Sequence, residues 1–75
     1  MVDIKGKRVV VLGLGDTGLS MARWLVSRGA EVRAADTRAE PPRLKEVGAL
    51  LPEAALHLGG PFSDQLFHGI DLIAV

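Results

Sequence analysis

Three glycines and one aspartate account for most of the chemistry this sequence could support. Gly13, Gly15 and Gly18 stand in the spacing G-x-G-x-x-G. Directly before them Val9, Val10, Val11 and Leu12 form an apolar, β-branched run of the kind that suits a parallel strand buried on both faces. Directly after them an amphipathic helical pattern begins. Strand, glycine turn and helix in that order make the spacing a dinucleotide-type fingerprint. In that reading Gly13 permits the tight turn off the strand, Gly15 lets a phosphate approach the backbone, and Gly18 lets the helix pack close to the strand. The free N–H groups of the first helical turn and the positive end of the helix dipole then favour an anion. Asp36 lies eighteen residues beyond Gly18, where an acidic residue at the end of the second strand is expected. An isolated aspartate more often serves a turn. Beside the glycine turn, Asp36 reads as a ligand contact. Arg38 follows it in the same loop.

Other chemistries find little support. His57 and His68 are the two histidines, with no cysteine and no metal-ligand spacing around them, so no metal site is expected. Ser20, Ser27 and Ser63 lack a nucleophile-elbow context. No G-x-x-x-x-G-K-[ST] phosphate loop is present. The 9 Lys+Arg balance the 9 Asp+Glu, which argues against broad binding to nucleic acid or to an acidic membrane. Asp3, Lys5 and Lys7 interrupt any signal-peptide core, and no apolar run approaches a membrane span. The absence of cysteine fits a cytoplasmic setting.

The elements that must position these residues follow from periodicity. After a short polar lead-in, Met1 to Gly6, strands are expected at Lys7–Leu12, Glu31–Ala35, Ala55–Leu58 and Ile70–Val75. Helices are expected at Asp16–Arg28 and Arg43–Leu51, and a single turn at Ser63–Phe67 with Ser63 as its cap. Leu19, Ala22, Leu25 and Val26 should face the sheet, Trp24 reads as packing, and Arg28 should complement the helix dipole before a left-handed cap at Gly29. Pro41 and Pro42 end the second strand segment, and Pro52 ends the second helix. This alternation predicts an α/β, Rossmann-like parallel sheet with helices on both faces and strand order 3-2-1-4. At 75 residues the chain is one small domain. It stops on an apolar strand read as central and buried, so it is expected to be an incomplete N-terminal piece, residues 1–75, of a longer protein. These features alone leave the nucleotide open: the NAD(P) domain of a dehydrogenase and a non-catalytic nucleotide-sensing module both remain.

A family resemblance narrows the choice. GKRVVVLGLGDTGLSMARWLVSRG, then ADTRAEPP, then HLGGPFSDQLFHGIDLIAV resemble the N-terminus of a Mur ligase, over nearly the whole chain. The most specific pieces are the GLGxTG motif at Gly13–Gly18 and the DTRxxPP segment at Asp36–Pro42. The resemblance implies a three-domain cytoplasmic ligase of peptidoglycan synthesis. Its first domain would hold the UDP part of UDP-N-acetylmuramoyl-L-alanine. ATP and magnesium would bind a later domain, and D-glutamate would attack an acyl phosphate of the substrate. By the same resemblance Asp16 and Thr17 offer backbone N–H groups to the diphosphate, while Asp36, Thr37 and Arg38 surround the uracil. Asp16 departs from the family, which often has an uncharged or basic residue there, and its side chain is expected to point away from the phosphate. The family's Ser-Pro-Gly turn, ATP loop, metal ligands and catalytic lysine would all lie beyond Val75.

Overall fold

The computed structural model describes residues 3–75, so the first two residues of the polar lead-in lie outside the described residues. Four parallel strands, β1 (Arg8–Leu12), β2 (Glu31–Asp36), β3 (Leu56–Leu58) and β4 (Leu72–Ala74), form one sheet in the order β3-β2-β1-β4. This is the expected Rossmann-like arrangement. The register sets Leu12 against Ala35 and Asp36 against Leu58, so β1 to β3 end at one edge of the sheet.

Alternation along the strands sorts the core into two layers. Val9, Val11, Val32 and Ala34 face α1 (Asp16–Ser27) and α2 (Leu44–Leu50), meeting Leu19, Leu25, Val47 and Leu51. Val10 and Ala35 face the opposite side, where a 3-10 turn at Asp64–Phe67 brings Leu66 down onto them. Both α-helices therefore share one face, because both right-handed crossovers run outward from β1 to β3. The return to β4 passes on the other face in little more than one turn. Arg33 secures that turn: its Nη1 donates to the carbonyls of Leu66, at 2.9 Å, and His68, at 2.8 Å.

Several local expectations need correction. Val26 is 37% exposed, because it sits beside the open groove between α1 and Leu50 and not over the sheet. Trp24 is 52% exposed and packs no core; its ring carries the Arg28 guanidinium at 5.3 Å. Arg28 thus occupies the C-cap position and stacks on Trp24, and no basic residue lies in the last turn of α1. Gly29 does take the left-handed conformation, at φ +82°. Ala30 N–H donates to the Leu25 carbonyl and Gly29 N–H to that of Val26, the paired bonds of a Schellman motif. Ser63 stands at the cap of its turn but makes no side-chain capping bond. Ala55 belongs to a 3-10 turn, Glu53–Ala55, and not to β3. The polar lead-in contributes to the core through Ile4, 7% exposed. β4 pairs with β1, with Leu72 and Ile73 exposed among the described residues.

Gly18 fixes how closely α1 approaches β1. A Cβ there would lie 1.9 Å from the Gly13 carbonyl oxygen, which is backbone and cannot swing aside. Gly18→Ala should therefore force α1 off the sheet and lower stability by about 1–3 kcal/mol, the usual range for overpacking. Thermal unfolding checks this; an unchanged melting temperature would mean that the helix does not depend on the contact.

Candidate functional site

The glycine turn joins β1 to α1 across Gly13, Leu14 and Gly15. Gly13 has φ +92°, so the turn needs glycine there for its backbone shape. Its N–H continues the sheet by donating to the Ala35 carbonyl at 2.8 Å. Leu14 points inward and is fully buried.

Gly15 differs from both other glycines. As N-cap of α1 it has φ −95° and ψ −158°, an extended conformation open to other residues. A Cβ added there would meet nothing within 4 Å. Neither conformation nor packing within the protein requires glycine at 15. The space a side chain would fill lies at the mouth of α1. The Leu19 N–H is the first in this helix to bond back, to the Gly15 carbonyl. The N–H groups of Asp16 and Thr17 have no partner among the described residues. Two amides at the positive end of a 12-residue helix, next to an unfilled space, can hold an anion.

Asp36 ends β2 directly beside this turn. It is only 4% exposed, the one buried ionisable residue among those described. Its Oδ2 accepts from the Leu14 N–H at 2.8 Å and from Arg38 Nη2 at 2.7 Å. Its Oδ1 accepts from the Arg38 N–H at 2.8 Å and from Arg38 Nε at 2.9 Å. Each oxygen thus has two donors, which fills the acceptor capacity of a carboxylate. The Arg38 hydrogen bonds hold the Asp36 carboxyl well below the usual carboxylate range, against the opposing effect of burial; the Leu14 and Arg38 N–H groups add to the lowering. Arg38 is braced in turn, with its guanidinium lying along the carboxylate and 54% of its side chain exposed. Thr37 is exposed between them, and its carbonyl accepts from the Gly60 N–H.

The structure therefore brings all eight sequence candidates to one end of the sheet. Gly13, Gly15, Asp16, Thr17 and Gly18 line the turn and the first turn of α1. Asp36, Thr37 and Arg38 form the adjoining wall, linked to the turn through Leu14. Sequence reasoning missed Arg43, whose N–H donates to the Leu14 carbonyl at 3.2 Å and whose Nε donates to Asp16 Oδ1 at 2.6 Å. Its only sequence signal was a basic residue following the double proline. His57 and His68 are exposed, and neither side chain bonds to these residues among the described contacts. A concavity of about 540 Å³ lies elsewhere: Ile4, Trp24 and Arg28 line it at the far end of α1.

A model of the Mur ligase MurD-like N-terminal domain matches residues 7–75. Among curated relatives, the UDP-N-acetylmuramoylalanine–D-glutamate ligase of Nitrosospira multiformis is 53% identical over 74 residues, covering 99% of this chain and 15% of that protein. The ligases of the same name from Methylobacillus flagellatus and Dechloromonas aromatica are 51% and 45% identical, covering 97% and 99% of this chain and 16% of each protein. The chain spans about one sixth of the length of the curated relatives it matches.

Because the Asp36 carboxyl titrates lower in the folded chain than in the unfolded one, the stability it contributes is fully present above the ordinary value of 3.8 and is lost as pH falls below it. Acid unfolding followed by circular dichroism should show this loss, and Asp36→Asn should flatten the slope below that pH. The same slope in both proteins would contradict the bonding described here.

Proposed function

The chain belongs to the MurD-like N-terminal domains of the Mur ligase family, and from that membership and the site we propose that it holds the UDP end of UDP-N-acetylmuramoyl-L-alanine in a D-glutamate-adding ligase. The observation that carries this reading is Gly15. The fold itself has no need of glycine there, whereas a diphosphate seated on the Asp16 and Thr17 amides would occupy the space a side chain takes.

Uracil presents an N–H between two carbonyl acceptors. The exposed Thr37 hydroxyl can serve a carbonyl. Arg38 offers an exposed, braced guanidinium plane on which the ring can stack. Asp36 contributes chiefly by holding Leu14 and Arg38 in place. For its carboxylate to accept the uracil N–H directly, Arg38 must release one of its bonds.

The ligase activity belongs to a longer protein, in which this chain would be the first of three domains, working in the cytoplasm. No helix among the described residues is long and apolar enough to cross a membrane. The family implies ATP and magnesium for the acyl-phosphate step. Among the described residues no three His, Cys, Asp or Glu side chains converge as a metal site would require, and no G-K-[ST] loop occurs in the sequence. The residues here do not fit either group, and we assign both to domains beyond this chain.

Calorimetry on the full-length ligase tests the reading. UDP should bind in preference to NAD, and Gly15→Ala should weaken UDP by at least tenfold while costing no more stability than the roughly 1 kcal/mol usual for alanine at a helix N-cap. Preferential binding of NAD, or full UDP affinity in Gly15→Ala, would overturn it.

A further inference from the structure

The anion position at the mouth of α1 carries an electrostatic problem that the fold addresses with a residue from another element. Asp16 is the first residue of α1, and its side chain is 81% exposed. A diphosphate accepted by the Asp16 and Thr17 amides would therefore lie close to a carboxylate of like charge, which opposes binding. The Arg43 Nε donates to Asp16 Oδ1 at 2.6 Å, across twenty-seven residues of sequence. The base of the arginine is fixed as well, since its backbone N–H is bonded to the Leu14 carbonyl in the glycine turn itself.

Arg43 is not consumed by these contacts. A guanidinium has five N–H donors, and Nε is the one that serves Asp16. Nη1 stands 3.8 Å from Glu46 Oε2, a charge contact beyond hydrogen-bond range. Glu46 Oε2 is itself buried with no hydrogen-bond partner among the described residues. The Nη groups thus retain donors, on a side chain that is 44% exposed beside the helix mouth. The charged groups facing Arg43 are Asp16 on α1 and Glu46 on its own helix, and both hold its proton more firmly.

We propose that Arg43 is a specificity-determining residue for the diphosphate: it neutralises Asp16 and turns its remaining donors to the phosphate oxygens. This deepens the nucleotide-binding reading above and rests on it. Within that reading Asp16 acts twice, as a backbone donor to the anion and as a carboxylate that positions Arg43. An arginine suits the double duty, because its planar fork can hold a carboxylate at one edge and a phosphate at another.

The alternative is that the Asp16–Arg43 pair is only a strut between α1 and α2. The two roles predict opposite outcomes for Asp16→Asn. If the pair is a strut, removing either partner weakens UDP binding alike. If Arg43 serves the diphosphate, Arg43→Ala exposes the ligand to the Asp16 charge and Asp16→Asn removes that charge.

The experiment is calorimetry of UDP with the full-length ligase, its Arg43→Ala, Arg43→Lys and Asp16→Asn variants, and the Asp16→Asn/Arg43→Ala double variant, at low and high salt. Arg43→Ala should weaken UDP about tenfold at low salt, with a smaller factor at high salt as screening grows. Arg43→Lys should lose less, since it keeps the charge. Asp16→Asn should bind UDP at least as tightly as the unaltered protein, and the double variant should recover part of the Arg43→Ala loss. Unchanged affinity in Arg43→Ala, or equal losses in Arg43→Ala and Asp16→Asn, would overturn the proposal. Failure of the unaltered protein to bind UDP at all would instead remove the reading on which it rests.

Discussion

A carboxylate buried at the end of a parallel strand must find donors, and the donors it finds decide the shape of everything around it. Asp36 is 4% exposed and takes four hydrogen bonds. One comes from Leu14, in the middle of the glycine turn, and the other three from Arg38. An unpaired buried carboxylate would be costly, so the turn and the arginine are each held where Asp36 needs them. The turn in turn sets the start of α1, and with it the direction in which the first-turn amides point. Leu14 is gripped a second time through its carbonyl, by the Arg43 N–H at the entrance to α2. One short turn thus joins the ends of β1 and β2 to the starts of both helices.

The three glycines of the turn serve three different ends. Gly13 is required by backbone conformation, at φ +92°. Gly18 is required by packing, with the Gly13 carbonyl where its Cβ would be. Gly15 is required by neither. Structural need and ligand need therefore separate by residue, so an alanine at 15 and an alanine at 18 probe different properties of the same motif. The base side of the site has a different character. Arg38 is braced before any ligand arrives, which limits the ordering that binding would otherwise demand of a long side chain.

Much of this was legible in the sequence, because it rests on local patterns with strong physical causes. The Val9–Leu12 run, the glycine spacing and the alternation of strands and helices led to the parallel sheet and its order. Asp36 was visible as the acid at the end of the second strand. What its carboxylate does was not visible, since Leu14, twenty-two residues away, is brought to it only by the β1–β2 register. Arg43 was missed for the same reason: a surface arginine after two prolines has no signature until the fold brings it to Asp16. Trp24 and Val26 were misplaced because helical periodicity marks an apolar stripe but not where the neighbouring element ends.

The Asp36 carboxylate holds the glycine turn through the Leu14 amide. Hydrogen exchange at that amide, followed by NMR in the unaltered protein and in Asp36→Ala, tests it most directly. The Leu14 N–H should exchange slowly in the unaltered protein and become fast in Asp36→Ala, while core amides of β1 such as Val10 stay protected. Fast exchange at Leu14 in the unaltered protein, or equal protection in both, would mean that Asp36 does not hold the turn.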